Sequence, residues 1–90
     1  MREFRIIIHK QVIKQLRKLD ARIRNNVKKV LVHLQYDPVP AKSYDIKKLS
    51  KGEGHYRIRI GKFRVLYWVD FTNYLIVVTD IKRRDETTYK

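Results

Sequence analysis

The sequence predicts an α+β fold, in which two helices pack on one face of a mainly antiparallel four-stranded sheet in the order β-α-α-β-β-β. Three observations predict it. Apolar residues recur at helical spacing in the N-terminal part of the chain, they alternate with arginines in a central hairpin, and an almost wholly apolar run follows that hairpin. Ninety residues, 43% of them apolar, fit a single domain spanning residues 1–90 with a modest core.

The N-terminal part predicts one strand and two helices. Residues 2–9 carry three consecutive β-branched isoleucines, which favour a strand. From Lys10 the spacing becomes helical, with one apolar face made of Val12, Ile13, Leu16 and Leu19. Asp20 is a suitable N-cap for a second helix, and Pro38 predicts where that helix ends. Its apolar stripe consists of Ile23, Val27, Val30, Leu31 and Leu34.

Two further segments complete the predicted sheet or connect its parts. Residues 37–55 have the least regular pattern, and residues 44–49 fit either a short helical or an extended segment. Residues 70–73 predict a turn. The apolar run at 74–79 predicts a central strand that is buried on both faces.

Residues 56–67 are the most informative stretch, because they predict a tight β-hairpin around Gly61-Lys62. That turn places Ile60 opposite Phe63 and Arg59 opposite Arg64. Every second residue of each strand then lies on one apolar face of the hairpin, and the arginines lie on the other face. Like charges directly across two strands destabilise a sheet, so an anion that bridges them is the better explanation. A phosphate fits the guanidinium fork.

The formal net charge of +13 points to a polyanionic partner: a nucleic acid, an anionic membrane or an acidic protein. No apolar run is long enough for a membrane-spanning helix, and the apolar stripes lack the aromatic residues of a membrane-surface helix. The absence of cysteine fits a reducing cytoplasm, where we expect the protein to act. The histidines and carboxylates show no ligand spacing, so we expect neither a metal nor another cofactor.

These residues resemble the RelE/ParE toxin superfamily of prokaryotic toxin–antitoxin systems. The resemblance lies in the element order, in the hairpin pattern Tyr-Arg-x-Arg-x-Gly-x-Phe-Arg-Val-Leu-Tyr from Tyr56 to Tyr67, and in Lys82-Arg83 followed by Tyr89. RelE-type members are ribosome-dependent endoribonucleases that cut messenger RNA in the A site. ParE-type members inhibit DNA gyrase and lack the catalytic set.

The RelE-type catalytic positions are all filled with suitable side chains in this chain. The resemblance implies that Arg59, Arg64 and Arg83 bind the scissile phosphate and that Arg57 supports the next phosphate. It also implies that Tyr89 stacks on a base or orients the attacking 2′-hydroxyl. Well-known bacterial members have lysines where Arg57 and Arg59 stand, and arginine cannot replace a lysine that gives up a proton.

Three other side chains are candidates at this site. Lys82 is expected to bind RNA, and Trp68 either stacks on a base or is packed by the loop before the hairpin. His55 is the histidine nearest the predicted site, and is a candidate for proton transfer or an ordinary loop residue.

The resemblance predicts the toxin of a type II system, a metal-independent endoribonuclease silenced by a cognate acidic antitoxin similar to RelB. The basic residues of the helices fit contacts with ribosomal RNA or with an acidic amphipathic antitoxin helix. Two alternatives remain at this point. One is a ParE-like inhibitor of gyrase without catalytic activity, and the other is a module that binds RNA or the ribosome without cutting.

Overall fold

The computed structural model describes residues 3–50 and 52–83, and these residues form two helices and one five-stranded sheet. The helices are α1 (Lys10–Lys18) and α2 (Ala21–Tyr36). The strands are β1 (Arg5–Ile8), β2 (Ile46–Lys48), β3 (His55–Ile60), β4 (Phe63–Asp70) and β5 (Leu75–Arg83). The sheet order is β1-β5-β4-β3-β2, with β1 parallel to β5 and the other pairs antiparallel. The predicted class and the mainly antiparallel sheet are confirmed.

The predicted count of four strands was wrong, because residues 46–48 add β2 as an edge strand beside β3. Ile46 pairs with Ile58, and Lys47 pairs with Arg57. Three residues are too few for a periodic pattern, so the sequence left this segment open between helix and strand. Residues 46–48 form a strand because pairing with β3 provides hydrogen-bond partners for backbone groups of both segments.

Both helices begin at side-chain caps. The Asp20 carboxylate accepts a hydrogen bond from the Arg22 backbone N–H at 2.9 Å, which confirms the predicted N-cap of α2. His9 caps α1 in the same way, since its Nδ1 accepts from the Gln11 backbone N–H at 3.3 Å. Helix α2 ends at Tyr36, before Pro38. No helix among the described residues has the length and apolar character needed to cross a membrane.

The core lies between the helices and one side of the sheet, called here the helix face. Ile58 and Val65 of the hairpin are fully buried there, as are Ile76 and Val78 of β5. The helices contribute Val12, Val27, Val30, Leu31 and Leu34. The opposite side of the sheet is called here the arginine face. The two faces together fix the hairpin register, because a slip of one residue would expose the apolar side chains and bury the arginines.

Strand β5 is central, as predicted, but it runs four residues further than the predicted run at 74–79. Burial on both faces was wrong. Ile76 and Val78 are buried on the helix face, whereas Leu75 and Val77 are only half-buried on the other. The short neighbour β1 explains the difference, because it is an edge strand whose own outward residue Ile7 is exposed.

Tyr67 ties the sheet to the segment that follows α2. Its ring is buried and lies stacked against Tyr56, with ring centres 5.8 Å apart. Its hydroxyl donates a 2.8 Å hydrogen bond to the backbone carbonyl of Pro38. Burial, and to a smaller extent the nearby Tyr56 and Asp37, raises the pKa of Tyr67 above its ordinary value. The folded protein therefore favours the neutral phenol.

We predict that Tyr67→Phe lowers the free energy of unfolding by about 1 kcal/mol, because the Pro38 carbonyl loses its buried donor. Chemical denaturation measures this change, and Tyr36→Phe is the matched control because Tyr36 is exposed. An equal loss in the control variant would contradict the prediction.

The same pair of variants tests the pKa. The pKa of Tyr67 is raised in the folded state, so its contribution is complete below the pKa of about 10 of an unfolded tyrosine and declines as pH rises above it. Stability should thus fall less steeply above pH 10 in Tyr67→Phe than in the wild type.

Candidate nucleic-acid interface

The arginine face carries two rows of side chains that run across four strands. The hairpin register is as predicted, with Arg59 opposite Arg64. Strand β5 then places Lys82 opposite Arg64, so three cations stand side by side on β3, β4 and β5. In the second row, Lys47 of β2 lies opposite Arg57, and Arg57 lies opposite Leu66.

These two rows line a cleft of about 450 Å³ on the arginine face. Its lining consists of Lys47, Leu49, Arg57, Arg59, Arg64, Leu66 and Lys82. Five of the seven side chains are cationic, and they are held by paired strands rather than by loops. Cations fixed this close together repel one another, and an anion entering the cleft relieves that repulsion. The geometry suits a phosphodiester, whose oxygens match the guanidinium fork.

Arg57 is the most deeply placed cation, with an exposed fraction of only 9%. Its Nη1 atom lies 3.5 Å from the Asp45 carboxylate. The other carboxylate oxygen of Asp45 accepts a hydrogen bond from Arg59 Nη1 at 3.3 Å. Because a buried charge is costly without a counter-charge, Asp45 stabilises the inner edge of the cleft.

The structure brings together Arg57, Arg59, Arg64 and Lys82, but it places Arg83 on the other side of the sheet. Arg83 lies opposite Phe63, a residue of the helix face, and borders a separate groove there with Ile60 and Ile81. The expectation that Arg83 joins the other arginines is therefore not met in the described geometry. Tyr89 lies outside the described residues.

A β-bulge in β5 causes this exchange between Lys82 and Arg83. Tyr67 pairs with Val78, but its neighbour Leu66 pairs with Asp80, so Thr79 is an extra residue on β5. The extra residue inverts the alternation of every later side chain in the strand. Lys82 consequently points to the arginine face and Arg83 to the helix face.

Helix α1 holds the bulged part of β5 in place, beyond the point where β1 ends. The side-chain amide of Gln11 donates to the Thr79 carbonyl at 2.9 Å. The Gln15 side chain accepts from the Ile81 backbone N–H at 3.2 Å and donates to the Asp80 carboxylate at 3.1 Å. The Lys82 ammonium lies 3.9 Å from that carboxylate. The position of Lys82 thus depends on contacts from α1.

Trp68 is packed by the loop before the hairpin, as one of the two predicted alternatives had it. Its ring lies 6.3 Å from the His55 ring, centre to centre. Gly54 covers it from the loop, where a Cβ would lie 2.5 Å from the Val69 carbonyl oxygen and 3.4 Å from the Trp68 ring. Neither Trp68 nor His55 is among the residues that line the cleft.

Sequence reasoning missed Lys47, Leu49 and the role of Asp45. All three belong to the segment around β2 that the sequence left undecided. Alternation was the available signal: in an extended segment, Asp45, Lys47 and Leu49 share one face, and Ile46 points to the other. Reading residues 44–49 as a strand would have placed them beside Arg57 and Arg59.

Comparison with known proteins identifies relatives over nearly the whole chain. Residues 6–87 match a family described as the ParE toxin of a type II toxin–antitoxin system, parDE. A protein of Methanocaldococcus jannaschii named "Putative toxin RelE1" is 39% identical over 88 residues, which cover 98% of this chain and 97% of the relative.

Solved structures of RelE proteins have a similar fold. The archaeal RelE–RelB complex from Pyrococcus horikoshii OT3 contains a chain that is 32% identical, with a TM-score of 0.86 and coverage of 94% of this chain and 99% of that one. The isolated E. coli RelE toxin shares the fold, with 21% identity, a TM-score of 0.76 and coverage of 93% and 87%.

We predict that Lys82→Ala weakens binding of a short single-stranded RNA and flattens its salt dependence, because one phosphate contact contributes a slope of about 0.7 in log Kd against log salt. Fluorescence anisotropy with a 2′-O-methyl oligonucleotide measures binding alone, because that RNA has no free 2′-hydroxyl.

Lys48→Ala is the matched control, since Lys48 is exposed but pairs with Tyr56 and so lies on the helix face. Equal changes of slope in the two variants would show that binding follows total charge and not the arginine face.

Proposed function

Because the chain belongs to the RelE/ParE toxin family of type II toxin–antitoxin systems, we propose that it is a RelE-type endoribonuclease that cuts messenger RNA in the A site of the ribosome. The single observation that carries this proposal is the row of Arg59, Arg64 and Lys82 beside the buried Arg57. A row of fixed cations suits a reaction at a phosphodiester, where negative charge accumulates on the phosphoryl oxygens.

In the proposed reaction, the 2′-oxygen bonds to phosphorus, the bond from phosphorus to the 5′-oxygen breaks, and the proton of the 2′-hydroxyl is lost while the leaving oxygen gains one. Arg59 and Arg64 stabilise the charge of the pentacoordinate intermediate, and Arg57 binds the neighbouring phosphate. Lys82 contributes a further positive charge at the cleft. Arg83 at the scissile phosphate remains a prediction from the family resemblance.

The guanidinium group is not a practical proton donor or acceptor in proteins, so these residues supply charge and orientation rather than proton transfer. The proposed catalysis therefore depends on electrostatic stabilisation and on alignment of the 2′-hydroxyl with phosphorus. The ribosome supplies part of that alignment by holding the messenger. We therefore expect the cleavage rate to depend on the ribosome.

We further propose that an antitoxin silences the toxin. The related chain from Pyrococcus horikoshii was solved as a RelE–RelB complex. The net charge of +13 favours an acidic partner for this chain as well. An antitoxin that covers the arginine face or prevents ribosome binding would be sufficient.

We predict that the wild-type protein cleaves messenger RNA on programmed ribosomes and that Arg64→Ala slows cleavage by about 10²- to 10³-fold, the usual effect of removing one group that stabilises transition-state charge. Primer extension locates and quantifies the cuts. Arg5→Ala is the matched control, because Arg5 is exposed on β1 at the opposite edge of the sheet from β2.

Two outcomes would contradict the proposal. Intact messenger together with tight ribosome binding would identify a module that binds without cutting. Intact messenger without ribosome binding would direct attention to DNA gyrase, the target of ParE-type members, and supercoiling assays would then decide.

We also predict that Tyr89→Phe slows cleavage while binding of the 2′-O-methyl oligonucleotide remains unchanged. The variant keeps the ring that would stack on a base and removes the hydroxyl that would orient the attacking 2′-oxygen. Single-turnover cleavage and equilibrium binding measure the two effects. Cleavage at the wild-type rate would assign Tyr89 to stacking instead.

A further inference from the structure

We propose that Asp45 is a positioning residue, which holds the guanidinium groups of Arg57 and Arg59 so that their remaining donors face the cleft. The inference rests on the proposed function and adds a residue to its site. Asp45 precedes β2, the strand that the sequence left undecided, and its side chain is 56% exposed.

One carboxylate contacts two guanidinium groups, since Oδ1 lies 3.5 Å from Arg57 Nη1 and Oδ2 lies 3.3 Å from Arg59 Nη1. The Asp45 backbone also contributes, because its carbonyl accepts a 3.0 Å hydrogen bond from the Arg59 backbone N–H. Asp45 therefore contacts β3 through both its backbone and its side chain.

A guanidinium group has five N–H donors in a planar fork, more than one carboxylate oxygen can engage, and Asp45 contacts the Nη1 atom of each arginine. Donors on the other nitrogens of each group remain for a phosphate. Asp45 and a bound phosphodiester can thus engage the same two arginines at the same time, one from the β2 side and one from the cleft.

Arg57 is buried, and it lies opposite Lys47 and near Arg59, both of which are cationic. Without a carboxylate, repulsion would drive these long side chains apart and towards solvent. With Asp45 in place, the two guanidinium groups stay close together. The expected consequence is that Asp45 aids the chemical step although its own charge opposes RNA binding.

This combination predicts effects of opposite sign in one variant. Asp45→Asn should tighten binding of the 2′-O-methyl oligonucleotide by about two- to fivefold, because one nearby negative charge is gone. The same variant should slow single-turnover cleavage on ribosomes by about 10- to 100-fold, because the arginines lose their orientation. Asp45→Glu should recover part of the cleavage rate.

Glu53→Gln is the matched control. It removes the same charge from an exposed position in the loop before β3, so it should leave the cleavage rate unchanged. Thermal melts of all three variants should show intact folding, since the backbone bond between residues 45 and 59 does not depend on the side chain. A rise in both affinity and cleavage rate in Asp45→Asn would overturn the proposal, because Asp45 would then be a competitor of the substrate.

A second readout separates this proposal from the proposed function. Nuclear magnetic resonance order parameters of the Nε–Hε groups of Arg57 and Arg59 report side-chain ordering without any reaction. They should fall in Asp45→Asn and stay at the wild-type value in Glu53→Gln. Unchanged order parameters in Asp45→Asn would overturn the positioning role. A wild-type protein that does not cleave would overturn the proposed function, and the order parameters would still decide the role of Asp45.

Discussion

The juxtaposition of Arg59 and Arg64 across two strands is the constraint on which the arrangement of the site depends. Two like charges in direct register oppose hairpin formation by themselves. The opposite side of the same strands provides the compensation, because Ile58 and Val65 are completely buried against the helices. Burial of one such side chain contributes about 1.5–3 kcal/mol, more than the repulsion of one like-charged cross-strand pair costs. The helix face thus fixes a register that the arginine face alone would disfavour.

That register also places the backbone positions of the site side by side before any ligand arrives. The cations of the cleft stand on β2, β3, β4 and β5, and each strand is hydrogen-bonded to its neighbour. Helix α1 also contributes, because the side chains of Gln11 and Gln15 form hydrogen bonds with the bulged part of β5. Helix and sheet are therefore connected at the position of Lys82. Cations held in this way need little reorganisation when negative charge develops on a phosphate.

The hairpin and the helices could be predicted because their signals are local. Gly61 has a φ of +58°, which suits the first position of a two-residue turn, and this turn fixes every pair up to Tyr56 and Tyr67. The Asp20 cap and the apolar stripe of α2 are equally local. Resemblance to a family then supplied candidate roles for residues that already shared a face.

The parts that could not be predicted depend on contacts between distant segments. β2 has only three residues, and it becomes a strand through pairing with β3. The bulge at Thr79 lies where β5 pairs with β4 and accepts a hydrogen bond from α1, and the residue type at that position does not predict it. A single extra residue exchanged Lys82 for Arg83 on the arginine face. Arg83 was expected at the site from the family resemblance, and neither that resemblance nor the local pattern of residues 74–79 indicates the bulge.

The presence of arginine rather than lysine at positions 57 and 59 fits the burial of Arg57. An ammonium group that is buried to this extent would tend to lose its proton, because burial penalises the charged form. A guanidinium group retains its charge under the same burial and still offers several donors to different partners. Arg57 can consequently contact Asp45 on one side and line the cleft on the other, which a lysine with a single charged nitrogen would do less well. In the proposed enzyme, the arginines thus provide a permanent field and a fixed geometry. The proton transfers then fall to the substrate, to water or to residues outside this cluster.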